Sequence, residues 1–186
     1  MPDAQPPITT AHDGPVAVVS LNRPDRRNAQ TPDMLADLVA AAGALPDSCR
    51  AVVLAGRGAV FCAGFDMRLV HDDPEALPRL LRGLSAAVRT LRRLPLPVVV
   101  AAHGAAVAGG CALLAGADVV LTNREARLGY PVVRLGISPA INAAALRRTL
   151  TDGAARERTL DPDLISGSEA ARIGLAHHCL DRPEDV

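Results

Sequence analysis

The chain has 186 residues, of which 49% are hydrophobic, enough for one globular domain with a sizeable core. Its formal net charge is zero, its aromatic content is 2% and it contains no tryptophan, so it offers neither a charged surface nor a stacking platform for nucleic acid. All 20 of its lysine-plus-arginine residues are arginine, which excludes a Schiff-base lysine.

Cysteine spacing and the N-terminal sequence indicate the compartment. The four cysteines, Cys49, Cys62, Cys111 and Cys179, show no Cys-x-x-Cys pairing, which argues against a zinc site or a disulfide framework. The N-terminus lacks the basic and apolar regions of a secretory signal. No apolar run reaches membrane-spanning length without charges or turn residues. We therefore expect a cytoplasmic protein with no metal site and no membrane partner.

Short apolar segments separated by turn residues predict strands along the chain. Residues 1–7 are proline-rich and are expected to be frayed. A hairpin turn is expected at His12–Gly14. The predicted strands, in chain order, cover residues 8–10, 15–21, 51–55, 98–102, 119–122, 126–130 and 177–180.

Helices are predicted between these strands. Thr31 is expected to cap the first of them, with Pro32 at its first helical position, and Ser168 is expected to cap the last. The predicted helices cover residues 32–42, 75–94, 109–115, 139–150 and 168–173. Strands that alternate with helices at this spacing predict an α/β fold with crossover connections. No linker or low-complexity segment divides the chain, so residues 1–186 are expected to form a single domain.

The segment at residues 97–118 is central to the functional interpretation. An apolar run is followed by a turn at Gly104, by Gly109 and Gly110, and then by a helix-like run. A helix that starts at paired glycines leaves backbone N–H groups without partners and carries a partial positive charge there. This pattern is typical of an oxyanion site made of backbone amides. Close packing of a helix on a sheet would give the same pattern, and this segment alone leaves both interpretations open.

Five segments in a fixed order resemble the crotonase superfamily, whose best-known member is enoyl-CoA hydratase. They are LNRPDRRNAQ (21–30), FCAGFD (61–66), HGAAVAGGCAL (103–113), LGYPVVRLGISP (128–139) and SGSEAARIGLAHHCL (166–180). The resemblance covers nearly the whole chain. It implies a ClpP/crotonase-like spiral of ββα units. It also implies an acyl-CoA substrate, with coenzyme A as part of the substrate and no tightly bound cofactor.

The same resemblance implies a homo-oligomer, a trimer or a hexamer. Members of the superfamily normally continue past a GLA-type motif into several more helices, whereas this sequence stops soon after Leu180. We therefore expect the C-terminal helical extension to be missing or much reduced. In that case the active-site cover is either absent or supplied by a partner subunit.

The resemblance assigns roles to residues of the FCAGFD and glycine segments. The backbone amides of Phe65 and Gly109 would stabilise the enolate-like oxyanion of the thioester. Each such donor is worth roughly 2.7–4 kcal/mol of barrier. Arginines of the first segment would pair with CoA phosphates, although a solvated loop is the alternative. The residues expected to bind substrate or CoA are Arg23, Arg27, Ala63, Gly64, Asp66, Met67, Gly110 and Tyr130.

The acid/base positions of the superfamily are occupied by apolar residues. Hydratases carry two glutamates, and the matching positions here are Ala112 and Val132. An aspartate used by some isomerases and dehalogenases matches Ala140. None of these side chains carries a proton, whereas each proton-transfer group usually contributes ~10²–10⁴-fold to the rate. Hydration by the standard two-glutamate mechanism is therefore not expected.

Other polar residues near these positions could in principle replace the carboxylates. Tyr130 is the only tyrosine and is expected at the boundary of the pocket, and Cys111 in the first helical turn is expected to be a packed residue. His103 is expected to be packed and hydrogen-bonded rather than catalytic, and the His177-His178 pair to lie at the surface. Three further residues are expected along the loop and helix over the acyl pocket, namely Arg134, Ser138 and Asn142.

Two functions remain open. One is a crotonase-type lyase or isomerase whose proton transfer is non-standard or supplied by the substrate. The other is a non-catalytic acyl-CoA-binding pseudoenzyme or an accessory subunit of a pathway complex. A serine peptidase of the related Clp type is excluded, because residues 98–117 contain no serine.

Overall fold

The computed structural model describes residues 5–186. Residues 1–4 of the segment expected to be frayed lie outside this range. Asn22 contacts the rest of that segment through two hydrogen bonds. The Asn22 backbone amide donates to the Pro7 carbonyl at 2.8 Å, and its side-chain Nδ2 donates to the Pro6 carbonyl at 2.9 Å.

Residues 5–186 form nine strands and seven α-helices. The strands are β1 (Ile8–Asp13), β2 (Val16–Leu21), β3 (Ala51–Gly56), β4 (Val98–Ala102), β5 (Ala105–Val107), β6 (Val119–Asn123), β7 (Arg127–Gly129), β8 (Ile165–Ser166) and β9 (His178–Leu180). The helices are α1 (Pro32–Gly43), α2 (Met67–Asp72), α3 (Ala76–Arg93), α4 (Gly109–Leu113), α5 (Ala140–Thr149), α6 (Asp152–Leu160) and α7 (Gly167–Ile173).

The strands form two sheets. The larger has six strands in the order β1-β2-β3-β4-β6-β9, and the smaller has three in the order β5-β7-β8. In the larger sheet only β1 and β2 pair antiparallel, and every later pair is parallel. Parallel neighbours require helical crossovers, which here are supplied by α1, α3, α4 and α7. The predicted α/β fold with crossover connections is confirmed.

The first hairpin turns later than predicted. His12 pairs with Ala17 and Asp13 pairs with Val16, so both residues belong to β1. The turn lies at Gly14 and Pro15, and Gly14 takes a φ of +54°, a left-handed conformation that glycine adopts readily. The sequence motif was therefore a correct turn signal placed two residues too early.

Helix caps explain two of the boundaries. The Thr31 side chain accepts a hydrogen bond from the Met34 amide at 3.1 Å, which confirms the predicted start of α1. The cap predicted for α7 was wrong. Ser166 Oγ, not that of Ser168, accepts from the Glu169 amide at 3.1 Å, and α7 begins at Gly167.

One hydrophobic core joins the sheets and helices. Its α3 contribution is the apolar stripe Leu80, Leu84, Ala87, Val88 and Leu91, spaced as an amphipathic helix requires. Helix α3 approaches α1 closely at Gly83, where a Cβ would lie 3.2 Å from Leu35. Within residues 5–186, no helix combines the length and the apolar character needed to cross a bilayer.

Candidate active site

A cavity of about 350 Å³ opens beside the start of α4. Its wall is almost entirely apolar and is built from four places in the chain: the segment after β3, one face of α3, the β5–α4 junction, and the segment from Tyr130 into α5. The wall residues are Ala63, Phe65, Met67, Leu81, Leu84, Val107, Ala108, Gly109, Ala112, Tyr130, Pro131, Val132, Arg134, Leu135, Ile137, Ser138, Pro139, Ile141 and Asn142.

Phe65 presents a free backbone amide at this cavity. The Gln30 amide donates to the Gly64 carbonyl at 2.7 Å, and the Asp66 amide donates to the Gln30 carbonyl at 2.9 Å. These two bonds fix the backbone on both sides of Phe65. Among the residues that the structure describes, the Phe65 N–H itself has no acceptor. The fold thus leaves this amide unpaired, as the predicted oxyanion role requires.

Gly109 supplies a second free amide as the first residue of α4. The first amides of a helix have no intrahelical acceptor, and within residues 5–186 no other group accepts from the Gly109 N–H. The FCAGFD segment lies directly against it. A Cβ built on Gly64 would stand 3.5 Å from Gly109 N and 2.9 Å from the Val107 carbonyl oxygen, and Gly64 has a φ of +95°. Glycine at position 64 therefore permits the close approach of the two donor segments.

Two buried amide side chains hold these segments in place. Asn28 Nδ2 lies 2.9 Å, 2.9 Å and 3.0 Å from the carbonyl oxygens of Arg57, Val60 and Phe61. Gln30 Nε2 donates to the Gly109 carbonyl at 3.1 Å. Both side chains are fully buried. Their segment, LNRPDRRNAQ, has the composition of a solvated loop, so its sequence gives no local signal for this role.

Ala108 occupies a strained conformation immediately before Gly109. Its φ is +51° and its ψ is −113°, values that favour glycine over any residue with a Cβ. Its amide donates to the Gly129 carbonyl at 2.8 Å, and its own carbonyl accepts from the Ala112 amide at 2.9 Å. These bonds hold the backbone in place and direct the Gly109 amide, so the strain lies at the residue immediately before that free amide.

We expect Ala108→Gly to stabilise the protein. Relief of backbone strain of about 1–3 kcal/mol is opposed by the extra flexibility of glycine, about 0.5–1 kcal/mol. The net gain in unfolding free energy should be about 1 kcal/mol, measured by urea denaturation. Ala106→Gly in β5 is the control. It makes the same chemical change at a buried residue without a positive φ, and it should destabilise. A loss of stability in both variants would contradict the assignment of strain to Ala108.

The positions that carry acid/base carboxylates in the superfamily are apolar in the cavity wall. Ala112 and Val132 both line the cavity. Ala140, the third predicted position, is exposed at the start of α5 and is not part of the wall. The wall contains no carboxylate, and its one charged side chain, Arg134, is exposed and paired with Asp163 at 2.5 Å. The cavity can thus stabilise negative charge through amides, but it offers no carboxylate for proton transfer.

Tyr130 and Asn142 form a buried pair in the same wall. The Tyr130 hydroxyl donates to the Cys111 carbonyl at 3.2 Å and accepts from Asn142 Nδ2. Each residue is 2% exposed. Burial raises the pKa of Tyr130 well above its ordinary value, and the electrostatic effect of the nearby Cys111 thiol raises this pKa further. The hydroxyl therefore stays protonated at neutral pH, and Tyr130 is a buried wall residue rather than a proton acceptor.

Two cysteines lie beneath the donor segments as protonated thiols. Burial raises the pKa of Cys62 to about 12 and that of Cys111 to about 11. Cys62 Sγ donates to the Asn28 carbonyl at 3.1 Å. Cys111 is fully buried, which confirms its predicted packing role. Neither thiol is a nucleophile at neutral pH, because the thiolate is the reactive form.

Thiol accessibility gives a direct check of this packing. Cys179 is partly exposed, whereas Cys49, Cys62 and Cys111 are buried. We expect the native protein at pH 8 to react with Ellman's reagent at one thiol on the time scale of minutes. All four thiols should react after denaturation. A Cys179→Ser variant should lose the fast phase, and two or more fast thiols in the native wild type would contradict the described packing.

The residues predicted to contact CoA are only partly brought together. Ala63 and Met67 line the cavity, whereas Arg23, Arg27, Gly64, Asp66 and Gly110 do not. Arg23 pairs with Asp66 at 3.1 Å, and Arg27 is exposed while its carbonyl accepts from the Ala63 amide at 3.0 Å. The phosphate contacts of the two arginines stay a prediction.

Gly110 differs from its predicted role as a substrate contact. Its missing side chain admits the Cys62 backbone, since a Cβ would stand 2.4 Å from the Cys62 carbonyl oxygen. Gly110 therefore serves the packing of α4 on the FCAGFD segment.

The remaining candidates lie away from the cavity. His103 Nε2 is 2.8 Å from the Gly58 carbonyl oxygen, and His177 and His178 are exposed. His177 Nδ1 accepts from the Val120 amide at 3.0 Å. Within residues 5–186, no three His, Cys, Asp or Glu side chains are grouped as a metal site would require.

Comparisons with known proteins agree with this geometry. The sequence profile of the enoyl-CoA hydratase/isomerase family matches residues 11–186. A protein of Thermus thermophilus is 38% identical over 170 residues, which cover 88% of this chain and 67% of the relative. The short-chain-enoyl-CoA hydratase of Clostridium acetobutylicum is 33% identical, covering 92% of this chain and 68% of the relative.

Solved structures give the same result for the fold. The crystal structure of an enoyl-CoA hydratase from Mycobacterium smegmatis superposes with a TM-score of 0.90 at 33% identity, covering 97% of this chain and 72% of that one. The fold and the family profile thus agree on the same family, and the free amides of Phe65 and Gly109 are consistent with it. The chain belongs to the enoyl-CoA hydratase/isomerase family of the crotonase superfamily.

Proposed function

We propose that this protein binds an acyl-CoA thioester in the cavity and stabilises the enolate-like oxyanion of its carbonyl with the amides of Phe65 and Gly109. The observation that carries the proposal is the pair of backbone N–H groups without acceptors at two wall residues of one apolar cavity. Such donors are worth most in a water-poor site, roughly 2.7–4 kcal/mol each. Coenzyme A enters as part of the substrate rather than as a resident cofactor.

We infer that the reaction, if the protein is an enzyme, does not depend on two protein carboxylates. Ala112 and Val132 leave the wall without a proton-transfer group. Isomerisation needs one base that moves a proton between two carbons, decarboxylation loses CO2 and leaves an enolate that water can protonate, and thioester hydrolysis needs one group that activates water. Each therefore requires fewer protein carboxylates than two-glutamate hydration does. Tyr130 does not replace the carboxylates, since its hydroxyl is already bonded to the Cys111 carbonyl and to Asn142.

A non-catalytic acyl-CoA-binding protein, or an accessory subunit of a pathway complex, is the second candidate. The same apolar residues at the acid/base positions favour it. Turnover of any acyl-CoA separates it from the first candidate. We further propose a cytoplasmic homo-oligomer, a trimer or hexamer, which sedimentation velocity would test.

Calorimetric titration tests the binding proposal. The probes are crotonyl-CoA, free CoA, and S-butyl-CoA, a thioether of similar chain length without the carbonyl. We expect crotonyl-CoA to bind more tightly than both others, because only its carbonyl can accept from Phe65 and Gly109. Equal affinity for crotonyl-CoA and the thioether would overturn the oxyanion role, and no heat with any probe in a folded sample would overturn acyl-CoA binding.

A further inference from the structure

A second, smaller cavity lies behind the inner wall of the first. Its volume is about 40 Å³, and its wall combines aliphatic side chains such as Leu114, Val120 and Leu146 with the polar side chains of Arg92, Thr149 and His177. Tyr130 and Asn142 are the two residues that line both cavities. The pair is therefore a partition between the acyl cavity and a further space of mixed polarity.

This partition is fixed to the helix that carries an oxyanion donor. The Tyr130 hydroxyl has one hydrogen, and it goes to the carbonyl of Cys111, two residues after Gly109 in α4. At a helical rise of 1.5 Å per residue, the two residues are about 3 Å apart along the axis. The partition thus lies at a fixed distance from the point where the thioester carbonyl would be bound. A wall at a fixed distance from the carbonyl limits the length of the acyl chain that fits in the cavity.

Within the pair, Asn142 is the residue whose removal opens the partition. Its Nδ2 donates to the Tyr130 hydroxyl, and its Oδ1 has no partner among the described residues. Tyr130 is held by the backbone of α4 independently of Asn142. Truncating Asn142 therefore leaves Tyr130 in place while it removes the atoms that separate the two cavities.

We propose that Asn142 is a specificity-determining residue that limits the acyl chain to a short length, by closing the acyl cavity against the second one. The proposal rests on the proposed function, because it takes the occupant to be the acyl chain of a CoA thioester. The acyl chain is apolar beyond the thioester, since the acyl cavity is lined mostly by apolar side chains.

The test compares two variants that both lose the hydrogen bond to Tyr130. Asn142→Ala opens the partition, whereas Asn142→Leu keeps a side chain with the same number of heavy atoms and the same branching there. Affinities for saturated acyl-CoAs of four, six and eight carbons are measured by calorimetry, so that no turnover is needed. Each methylene that enters an apolar space is worth about fourfold in affinity. We expect the ratio of eight-carbon to four-carbon affinity to rise by about tenfold or more in Asn142→Ala, and to stay at the wild-type value in Asn142→Leu.

A third variant locates the added space. Ala145 lines the second cavity but not the first. Adding Ala145→Leu to Asn142→Ala should fill the second cavity and return the affinity ratio to the wild-type value. If the ratio of eight-carbon to four-carbon affinity is unchanged in Asn142→Ala, or rises equally in Asn142→Leu, the proposal for Asn142 is overturned. The proposed function still stands in that case, provided that the wild type binds butyryl-CoA more tightly than CoA. If the wild type binds no acyl-CoA more tightly than CoA, the proposed function fails and this inference fails with it.

Discussion

Replacing Ala112 and Val132 together with glutamate is expected to produce a protein that hydrates crotonyl-CoA. Both positions line the cavity that contains the Phe65 and Gly109 amides, so carboxylates there would face the bound acyl group. Each proton-transfer group contributes ~10²–10⁴-fold to a rate. Because the two groups act on one water, the double variant should exceed the wild type by far more than either single variant. Loss of absorbance of the enoyl thioester measures the rate.

The matched control replaces the same two residues with glutamine. Glutamine has the size of glutamate and a polar head group, but it transfers no proton at neutral pH. Both double variants should have similar unfolding free energies, which would show that the cavity accepts the longer side chains. A folded double-glutamate variant that binds crotonyl-CoA yet hydrates it no faster than the double-glutamine variant would show that more than carboxylates is missing from the site.

Replacing Asn28 with glycine is expected to cost about 2–3 kcal/mol of unfolding free energy. The substitution removes the donor to the carbonyl oxygens of Arg57, Val60 and Phe61, of which the Phe61 oxygen is buried, and it removes the Oδ1 that accepts from the Arg23 amide. A buried polar group without a partner costs about 1–3 kcal/mol. Asn28 has a φ of +53°, a conformation that glycine adopts freely. The loss therefore measures the hydrogen bonds and not backbone strain. Urea denaturation at neutral pH measures it.

Asn28→Ala separates the two contributions. This substitution removes the same hydrogen bonds, and it also places a Cβ at a position with a left-handed backbone conformation. That conformation costs alanine roughly 1–2 kcal/mol of unfolding free energy more than glycine. Asn28→Ala should therefore be less stable than Asn28→Gly by about that amount. If Asn28→Gly instead lies within 1 kcal/mol of the wild type, the Asn28 side chain is not the support of the FCAGFD segment that its contacts indicate.

Elements with a strong local signal were predictable from the sequence. Helix α3 was expected at residues 75–94 and lies at Ala76–Arg93, because its apolar residues recur at helical spacing over eighteen residues. Helix α1 has both a threonine cap and an N1 proline. Each of these signals acts within one or two turns of its own helix, which is why no knowledge of distant contacts was needed.

Elements whose stability comes from distant contacts were missed. Helix α6 buries only Ala155 and Arg158, so it has no apolar stripe, although Thr151 accepts from the Ala154 amide as a cap should. Strand β5 has three residues and exists through its pairing with β7, more than twenty residues away. Helix α2 buries no residue at all. Short or polar segments of this kind have too little hydrophobic periodicity for their secondary structure to be predicted from the local sequence.

In the candidate site, too, some features were predictable from the sequence and others depend on distant contacts. The positions of Phe65 and Gly109 followed from the resemblance, and the structure leaves both amides unpaired. The roles of Asn28 and Gln30 depend on carbonyls 29 to 79 residues away along the chain. The pairing of Asn142 with Tyr130 depends on how α5 packs on the segment before it. No sequence pattern within either segment specifies these partners.

The most direct test of the central claim is the infrared carbonyl frequency of bound butyryl-CoA labelled with ¹³C at the thioester carbon. Two amide donors at Phe65 and Gly109 would polarise the carbonyl and lower its stretching frequency relative to the free thioester in water. We expect such a downward shift for the bound ligand, because the cavity wall is apolar and the donors are fixed by the fold. A bound thioester whose carbonyl frequency is unchanged or higher than in water would contradict the existence of an oxyanion site at these two amides.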